Sequence, residues 1–508
     1  MNLSIEKDKK TAIVLSTVLL FTSYKLIRAL TNKSKSQSTK EIPVPGSSYW
    51  YVGHMFSMGE LPGKTVEEWH RQLGPIIKLY LGVQTWIMIA DPILAHKVFV
   101  TNSAKTSFRP KSHFTDLYSK GEKGVAFGQP SDVKWKSTRA KMQDAFVPKQ
   151  IESYMDSIHW EAQELVHQLV EDTVKEEGVI PFEYFKWYAI NTVFVLSFAK
   201  RFERVHDPEF KKFSYIIART GKILEAVEDL PGFLPSASFL DFFNGRKSRG
   251  KHFFEDVRDP TFRRYIAEAL NSDKPNIVKS IKEEGANWSE EEYIAFTADI
   301  ISAGTDTIGV SLWWNLYLMC HYPACQKTAA NEVDEFFRLN GRLPHFSERT
   351  QLPYIISVMK ECMRFRPTMQ FGLPHSTQEE LEVDGYVFPK GCNIISSMHG
   401  MHLGSYFENA NTFFPERYMG NSKTMDALKK GKIEERDQFN FGWGRRSCPG
   451  TYLAEVEMFL AFVQILATCT IEPPKEGMPD INEARNVGLN VVPPPCKLRF
   501  VKRHDSLV

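Results

Sequence analysis

Phe441-Gly-Trp-Gly444-Arg-Arg446-Ser-Cys448-Pro-Gly450 is the stretch on which the reading of this 508-residue chain turns. Glycines stand on both sides of a cysteine, and a helical run of apolar residues begins at Thr451. Glycine lets the backbone turn tightly and approach another group closely, while a helix N-terminus favours an anionic sulfur. The pattern is a geometry for holding a thiolate. Taken alone, Cys448 would read as inert core, because unpaired cysteines usually pack as small hydrophobes.

Three other segments bear on that choice. Glu361-Cys-Met-Arg364 spaces an acid and a base at i, i+3 on a helix, ordinarily a surface pair worth about 0.2–0.5 kcal/mol. Phe414-Pro-Glu-Arg417-Tyr supplies a further arginine. Ala303-Gly304-Thr305-Asp306-Thr307 lies in the middle of a long helical run, where the four-residue spacing puts Ala303 and Thr307 on one face. Threonine and aspartate are mild liabilities inside a helix, so their presence there asks for a reason.

Together these segments resemble the cytochrome P-450 family, and the resemblance runs from about Ile42 to Phe500, taking in Ser107-Phe-Arg-Pro110 and Gly385-Tyr-Val-Phe-Pro-Lys-Gly391. It implies haem b bound by the Cys448 thiolate, with Phe441 and Gly450 belonging to the same haem-binding signature. Glu361, Arg364 and Arg417 become a structural lock for the cysteine loop. Ala303 clears the haem, and Thr307 with Asp306 and ordered water delivers protons to dioxygen. Ile308 departs from the second hydroxyl often found at that place. Trp135 and Arg139 on one helix, His375 after Leu373-Pro374, and Arg446 are the implied partners of the haem propionates, which need compensation if buried.

The implied fold is mainly α with a smaller β region, an α+β triangular prism, and the type is eukaryotic microsomal and fungal. The implied reaction inserts one atom of dioxygen into a lipophilic molecule of steroid, terpenoid or fatty-acid type. A thiolate ligand favours O–O cleavage and haem performs the oxidation. Electrons come from NADPH through NADPH–cytochrome reductase, with cytochrome b5 as a further partner, since no flavin or dinucleotide fingerprint accompanies the haem motif. Two other readings remain: a haem-thiolate isomerase or dehydratase needing no external electrons, and a haem sensor or carrier. Thr307 and Asp306 speak against both.

Composition agrees with a full-sized globular chain. Hydrophobic residues make up 43% and charged ones 24%, which argues against disorder and a polytopic membrane protein. A net charge of +2 disfavours nucleic acid as a partner. Seven scattered cysteines without CxxC pairs fit neither a disulfide framework nor a zinc site and point to a reducing compartment.

Residues 11–24 are uncharged, and the apolar run reaches Leu30 by tolerating Lys25 and Arg28, which can snorkel at a membrane interface. Lys33, Lys35 and Lys40 follow among serines, which places the body on the cytoplasmic side by the positive-inside rule. The expectation is a single-pass anchor with its linker over 1–40 and a catalytic domain over 41–508, held at the endoplasmic reticulum membrane. A buried N-terminal helix is the alternative. Pro43-Val-Pro-Gly46 reads as a stiff hinge between anchor and body.

In the body, Ile76 to Leu81 and Thr85 to Ile89 predict a hairpin around Gly82-Val83, and Asp91-Pro92 opens a helix. Residues 135–370 are mostly helical, broken at Pro181, Pro231 to Pro235, Pro275, Pro323 and Pro344. Ser289-Glu-Glu-Glu292 is a capping box for a helix running to about His321, a core helix because it carries Asp299, Asp306 and Asn315. That cap also explains Ser289 better than the glycosylation triplet Asn287-Trp-Ser289 does. Leu381 to Phe388 and Cys392 to Ser397 read as strands. Pocket walls are expected from Lys111 to Gly128, Leu224 to Phe243, the Ala303 face, Gln370 to Leu373 and Asn486 to Val492. Lys429, Lys430 and Lys432 read as a solvated loop, with a face toward a reductase as the alternative.

Overall fold

Ile76–Leu81 (β1) and Gln84–Ile89 (β2) form the hairpin expected around Gly82-Val83, with Ile76 opposite Ile89 and Leu81 opposite Gln84. Gly82 takes φ +58°, and a Cβ there would lie 1.9 Å from the Phe233 carbonyl oxygen, so only glycine fits the turn. Asp91 then caps the helix Pro92–His96 by accepting from Leu94 N at 2.6 Å. These elements belong to a computed structural model that describes residues 40–239 and 244–503. The 11–24 span, the linker before Lys40 and the last four residues of the Leu224–Phe243 wall lie outside the described residues.

The hairpin continues into a four-stranded sheet of order β1-β2-β6-β3, formed with His375–Ser376 (β3) and Asn393–Ser396 (β6). β2 and β6 run parallel, with Ile87 opposite Ile394. The Leu381 to Phe388 stretch, expected as one strand, is two: Leu381–Val383 (β4) and Tyr386–Phe388 (β5) pair antiparallel across Asp384 at φ +52° and Gly385 at φ +83°. Asp-Gly with both residues at positive φ is the favoured two-residue hairpin turn, and its signal outweighs the strand propensity around it. The expected hinge at Pro43 is likewise docked: Lys78 N donates to Pro43 O at 2.8 Å and Ile42 is buried.

Six helices position the site: Met155–Glu176 (α1), Phe182–Phe198 (α2), Glu290–His321 (α3), Pro353–Phe365 (α4), Met425–Lys430 (α5) and Thr451–Thr468 (α6). The capping box at the head of α3 is formed in both directions, Ser289 N to Glu292 Oε2 at 2.7 Å and Glu292 N to Ser289 Oγ at 3.3 Å. Such a cap contributes about 1 kcal/mol. The helix runs 32 residues, about 48 Å, and Pro323 opens the next helix where it stops. Asp299 and Asn315 are buried within it, as a core helix requires.

Close packing of α3 on α2 depends on glycine. A Cβ at Gly304 would come 2.8 Å from Val193 Cγ1, and one at Gly309 would come 3.3 Å from the Phe182 ring. Around this contact lie the fully buried Trp187, Trp314, Tyr188 and Tyr317, which anchor the main core. Among the described helices only α6 is long and apolar enough to cross a membrane, but 94% of it is buried inside the protein. It is the floor of the site.

Candidate functional site

The cysteine loop owes its shape to two glycines. Gly442 and Gly444 take φ +68° and +52°, and a Cβ at Gly444 would sit 2.3 Å from the Phe99 carbonyl oxygen. The loop closes when Cys448 N donates to Phe441 O at 2.8 Å, and α6 starts three residues after the cysteine. Cys448 is a free thiol lining a cavity of about 270 Å³. Ala303 and Thr307 of α3 line the same cavity, as do Phe441 and Gly450. Nothing lies within 4 Å of where a Gly450 Cβ would stand, so this side of the loop leaves open space.

On the α3 wall, Thr307 Oγ1 donates to Ala303 O at 2.7 Å, which leaves its lone pairs free. Ile308 is buried and offers no hydroxyl; Ser311, one turn beyond Thr307, supplies one instead. Its Oγ lies 2.8 Å from Thr307 O and 2.9 Å from Thr368 Oγ1.

The expected lock is assembled. Arg364 Nε and Nη2 each reach the Glu361 carboxylate at 2.7 Å, and Arg417 Nε stands 3.3 Å from Glu361 Oε2. Arg364 also donates to His402 O at 2.9 Å, Ala410 O at 2.7 Å and Thr412 O at 3.1 Å. Two bonds carry this to the cysteine loop: Phe439 N donates to His402 Nε2 at 2.8 Å, and Asn440 Nδ2 to Met363 O at 2.9 Å. Burial beside Arg364 holds the His402 imidazole far below its ordinary pKa, so it is neutral and Nε2 can accept. Neither His402 nor Asn440 carries a sequence signal that would have singled it out.

Opposite the lock, three guanidinium groups are buried together. Arg446 donates from Nε to Ser107 O at 2.8 Å and from Nη1 to Val125 O at 3.0 Å, and its guanidinium covers the Trp135 ring at 4.3 Å. Arg109, in the quoted Ser107-Phe-Arg-Pro110 segment but assigned no role by sequence, donates to Ala126 O and Leu373 O at 3.0 Å and Pro374 O at 2.6 Å. Arg139 bonds Ser447 O and leaves its buried Nε without a partner. None of the three has a carboxylate within salt-bridge distance among the described residues. Burial, sharpened by mutual repulsion, pushes Arg446 down to about 8 and Arg109 to about 9.

His375 lines the cavity with its Nδ1 2.8 Å from Thr106 O, and burial beside Arg109 drives its pKa far down. Such a cluster is costly by itself and is relieved by a bound dianion. The residues present therefore fit haem: a thiol at a helix entry, open space over Gly450, and unpaired buried cations for two carboxylates.

Three of the residues predicted to bind haem or carry protons do not line this cavity: Arg139, held on Ser447 O behind it, Trp135 and Asp306. Trp135 spends its indole N–H on Val125 O at 3.0 Å, and its ring lies under the Arg446 guanidinium. Asp306 turns to the rear of α3, 3.5 Å from the buried Lys186 Nζ of α2, because helical spacing puts neighbours 306 and 307 on different faces.

The cavity walls also differ from expectation. Ala303, Phe371, Gly372 and Leu373 line it, but Lys111 to Gly128, Leu224 to Phe239 and Asn486 to Val492 do not. The last stretch stands behind Thr368, to which Val491 N donates at 2.8 Å, and Phe233 stacks on Trp86 of the sheet. Asp299, read from sequence only as a core marker, does line the cavity and accepts from Val125 N at 2.5 Å and Ala126 N at 3.0 Å.

Comparison with known proteins bears on the same arrangement. The family model described as Cytochrome P450 matches residues 43–500. Cytochrome P450 monooxygenase 79 of Postia placenta is 25% identical over 93% of this chain and 91% of its own length. A probable cytochrome P450 508A4 of Dictyostelium discoideum is 26% identical over 91% of this chain and 93% of its own length. Among solved structures, a zebra fish cytochrome P450 with abiraterone superposes with a TM-score of 0.72 at 22% identity, covering 87% of this chain and all of that one.

Proposed function

This chain belongs to the cytochrome P450 family and is a monooxygenase of it, and we propose that it oxygenates a lipophilic small molecule with electrons delivered from NADPH by a membrane-bound reductase. The observation that carries the substrate class is the cavity shared by Thr307 and Cys448, which beside its arginine and histidine groups is lined by Ile300, Met369, Phe371, Leu373 and other apolar side chains. Haem held there supplies the oxidation itself, a thiolate ligand favouring O–O cleavage.

The chain's own residues do the rest. Cys448 presents sulfur from a loop that Glu361, Arg364, His402 and Asn440 hold in place. Arg109, Arg139, Arg446 and His375 are the groups to meet the propionates. Thr307 Oγ1 carries a proton that it shares with Ala303 O, and its free lone pairs face the cavity, so it can take a proton from water and pass one on. Asp306, 3.5 Å from the buried Lys186 and 23% exposed, stands on another face of α3, so its part in resupplying that hydroxyl runs through intervening water.

The apolar run at 11–24 and the basic linker after it support a single-pass anchor in the endoplasmic reticulum membrane with the body on the cytoplasmic face, where cytochrome b5 is a further electron donor. Steroid, terpenoid and fatty-acid substrates share the required chemistry. Titrating a panel of the three classes into the holoenzyme should give a low-to-high spin shift with at least one. Turnover of that compound should then require both reductase and NADPH. Rearrangement of a lipid peroxide without either would instead assign the isomerase or dehydratase chemistry.

A further inference from the structure

The three lysines after Met425 do not form one solvated loop. Met425–Lys430 is a helix, α5, capped by Thr424, whose Oγ1 accepts from Ala427 N at 3.2 Å. Met425 N donates to Glu455 Oε2 of α6 at 3.0 Å, and Met425 and Leu428 are buried, so the helix lies flat against α6. This turns Lys429 inward. Its side chain is only 7% exposed, against 69% for the adjacent Lys430.

The Lys429 ammonium donates to Cys448 O at 2.7 Å and Thr451 Oγ1 at 2.7 Å and lies 3.0 Å from Asp426 Oδ1. Thr451 Oγ1 in turn donates to Cys448 O at 3.0 Å. An ammonium has three hydrogens, and all three are placed. Burying a lysine costs solvation and side-chain entropy, so a fully partnered one seated on the carbonyl of the cysteine itself asks for a role beyond packing.

We infer that Lys429 is a positioning residue for the haem-thiolate centre, holding a fixed positive charge against the Cys448 residue and thereby favouring the reduced iron. This rests on Cys448 being the haem ligand. Adding an electron to the haem makes the centre more negative, so a nearby cation favours reduction and its removal disfavours it. Asp426 acts in the opposite sense, as the counter-charge that moderates Lys429.

The test is the midpoint potential of the haem couple in the purified full-length holoenzyme, measured by spectroelectrochemistry. Lys429→Met, which keeps the apolar stem, should lower the equilibrium constant for reduction about tenfold, about 59 mV for one electron. Lys429→Arg, which keeps the charge, should stay near the wild type, and Lys432→Met, at an exposed position with no ion pair to Asp426, should leave the potential unmoved. Asp426→Asn should move it the other way. An unchanged midpoint in Lys429→Met, whatever happens to stability, overturns the inference. If that variant yields no holoenzyme, Asp426→Asn decides: a rise supports the inference and an unmoved midpoint overturns it. The wild-type reduced carbon-monoxide spectrum, recorded on the same sample, tests the ligand assignment separately.

Discussion

Glu361 and Arg364 form a two-armed pair, 2.7 Å on each arm, in which neither side chain reaches solvent at all. The spacing is that of a surface helix pair, yet the burial changes its energetics entirely. A surface pair contributes about 0–1 kcal/mol, whereas removing one member of a buried pair costs about 3–5 kcal/mol by stranding the other charge. Glu361→Gln strands Arg364 with Arg417 beside it. The expected outcome is a large drop in thermal midpoint together with a fall in the haem-to-protein ratio of purified material, because the lock reaches the cysteine loop through His402. A stability loss below about 1 kcal/mol, within the surface-pair range, would contradict this.

Thr307 should be dispensable for haem binding and necessary for using it well. Thr307→Ala is expected to retain the haem spectrum while NADPH consumed per product rises several-fold and peroxide accumulates. Thr307→Ser, which keeps the hydroxyl, should recover most of the coupling. Equal coupling in the alanine variant would remove the proton-handling role.

The buried arginines should hold the cofactor. Arg446→Met and Arg109→Met each remove a buried cation that has no carboxylate in salt-bridge range, together with its bonds to backbone carbonyls, so the apoprotein loses some stability through those carbonyls and the holoprotein loses haem retention as well. Transfer of haem to apomyoglobin should accelerate about tenfold, equivalent to about 1.4 kcal/mol of lost retention. Slower or unchanged transfer would place the propionates elsewhere.

Glu455 gives a pH-dependent prediction. Burial raises its carboxyl from 4.5 to about 7. The folded state then binds the proton more tightly than the unfolded state, so this stability is complete below about 4.5 and is lost as pH rises toward about 7. The full shift corresponds to an upper limit of about 3 kcal/mol. Glu455→Gln can still accept from Met425 N, so it should raise the thermal midpoint at pH 8 and leave it unchanged near pH 4.5. A uniform change at both would show that the carboxyl does not titrate as its burial requires.

Much of this was legible from local chemistry. Ser289 and Glu292 announce their cap by spacing alone, and Gly82-Val83 announces its hairpin, because both rest on contacts within a few residues. Cys448, Ala303 and Thr307 were found together because each sits in a segment with its own pattern. What escaped depends on partners far along the chain. Lys429 looked solvated because its own neighbourhood is charged, and only the packing of α5 on α6 turns it toward Cys448. Arg109 is buried by carbonyls 17 and more than 260 positions away. The Asp384-Gly385 turn was visible but was outvoted by the apolar residues around it.

The central claim is that the Cys448 thiolate is the iron ligand, and the reduced carbon-monoxide difference spectrum of the full-length protein tests it most directly. The wild type should show the red-shifted Soret band of a thiolate-ligated haem, and Cys448→Ala should lack it while other parts of the fold persist by circular dichroism. Retention of that band in Cys448→Ala, or its absence from fully folded wild-type holoprotein, would contradict the account.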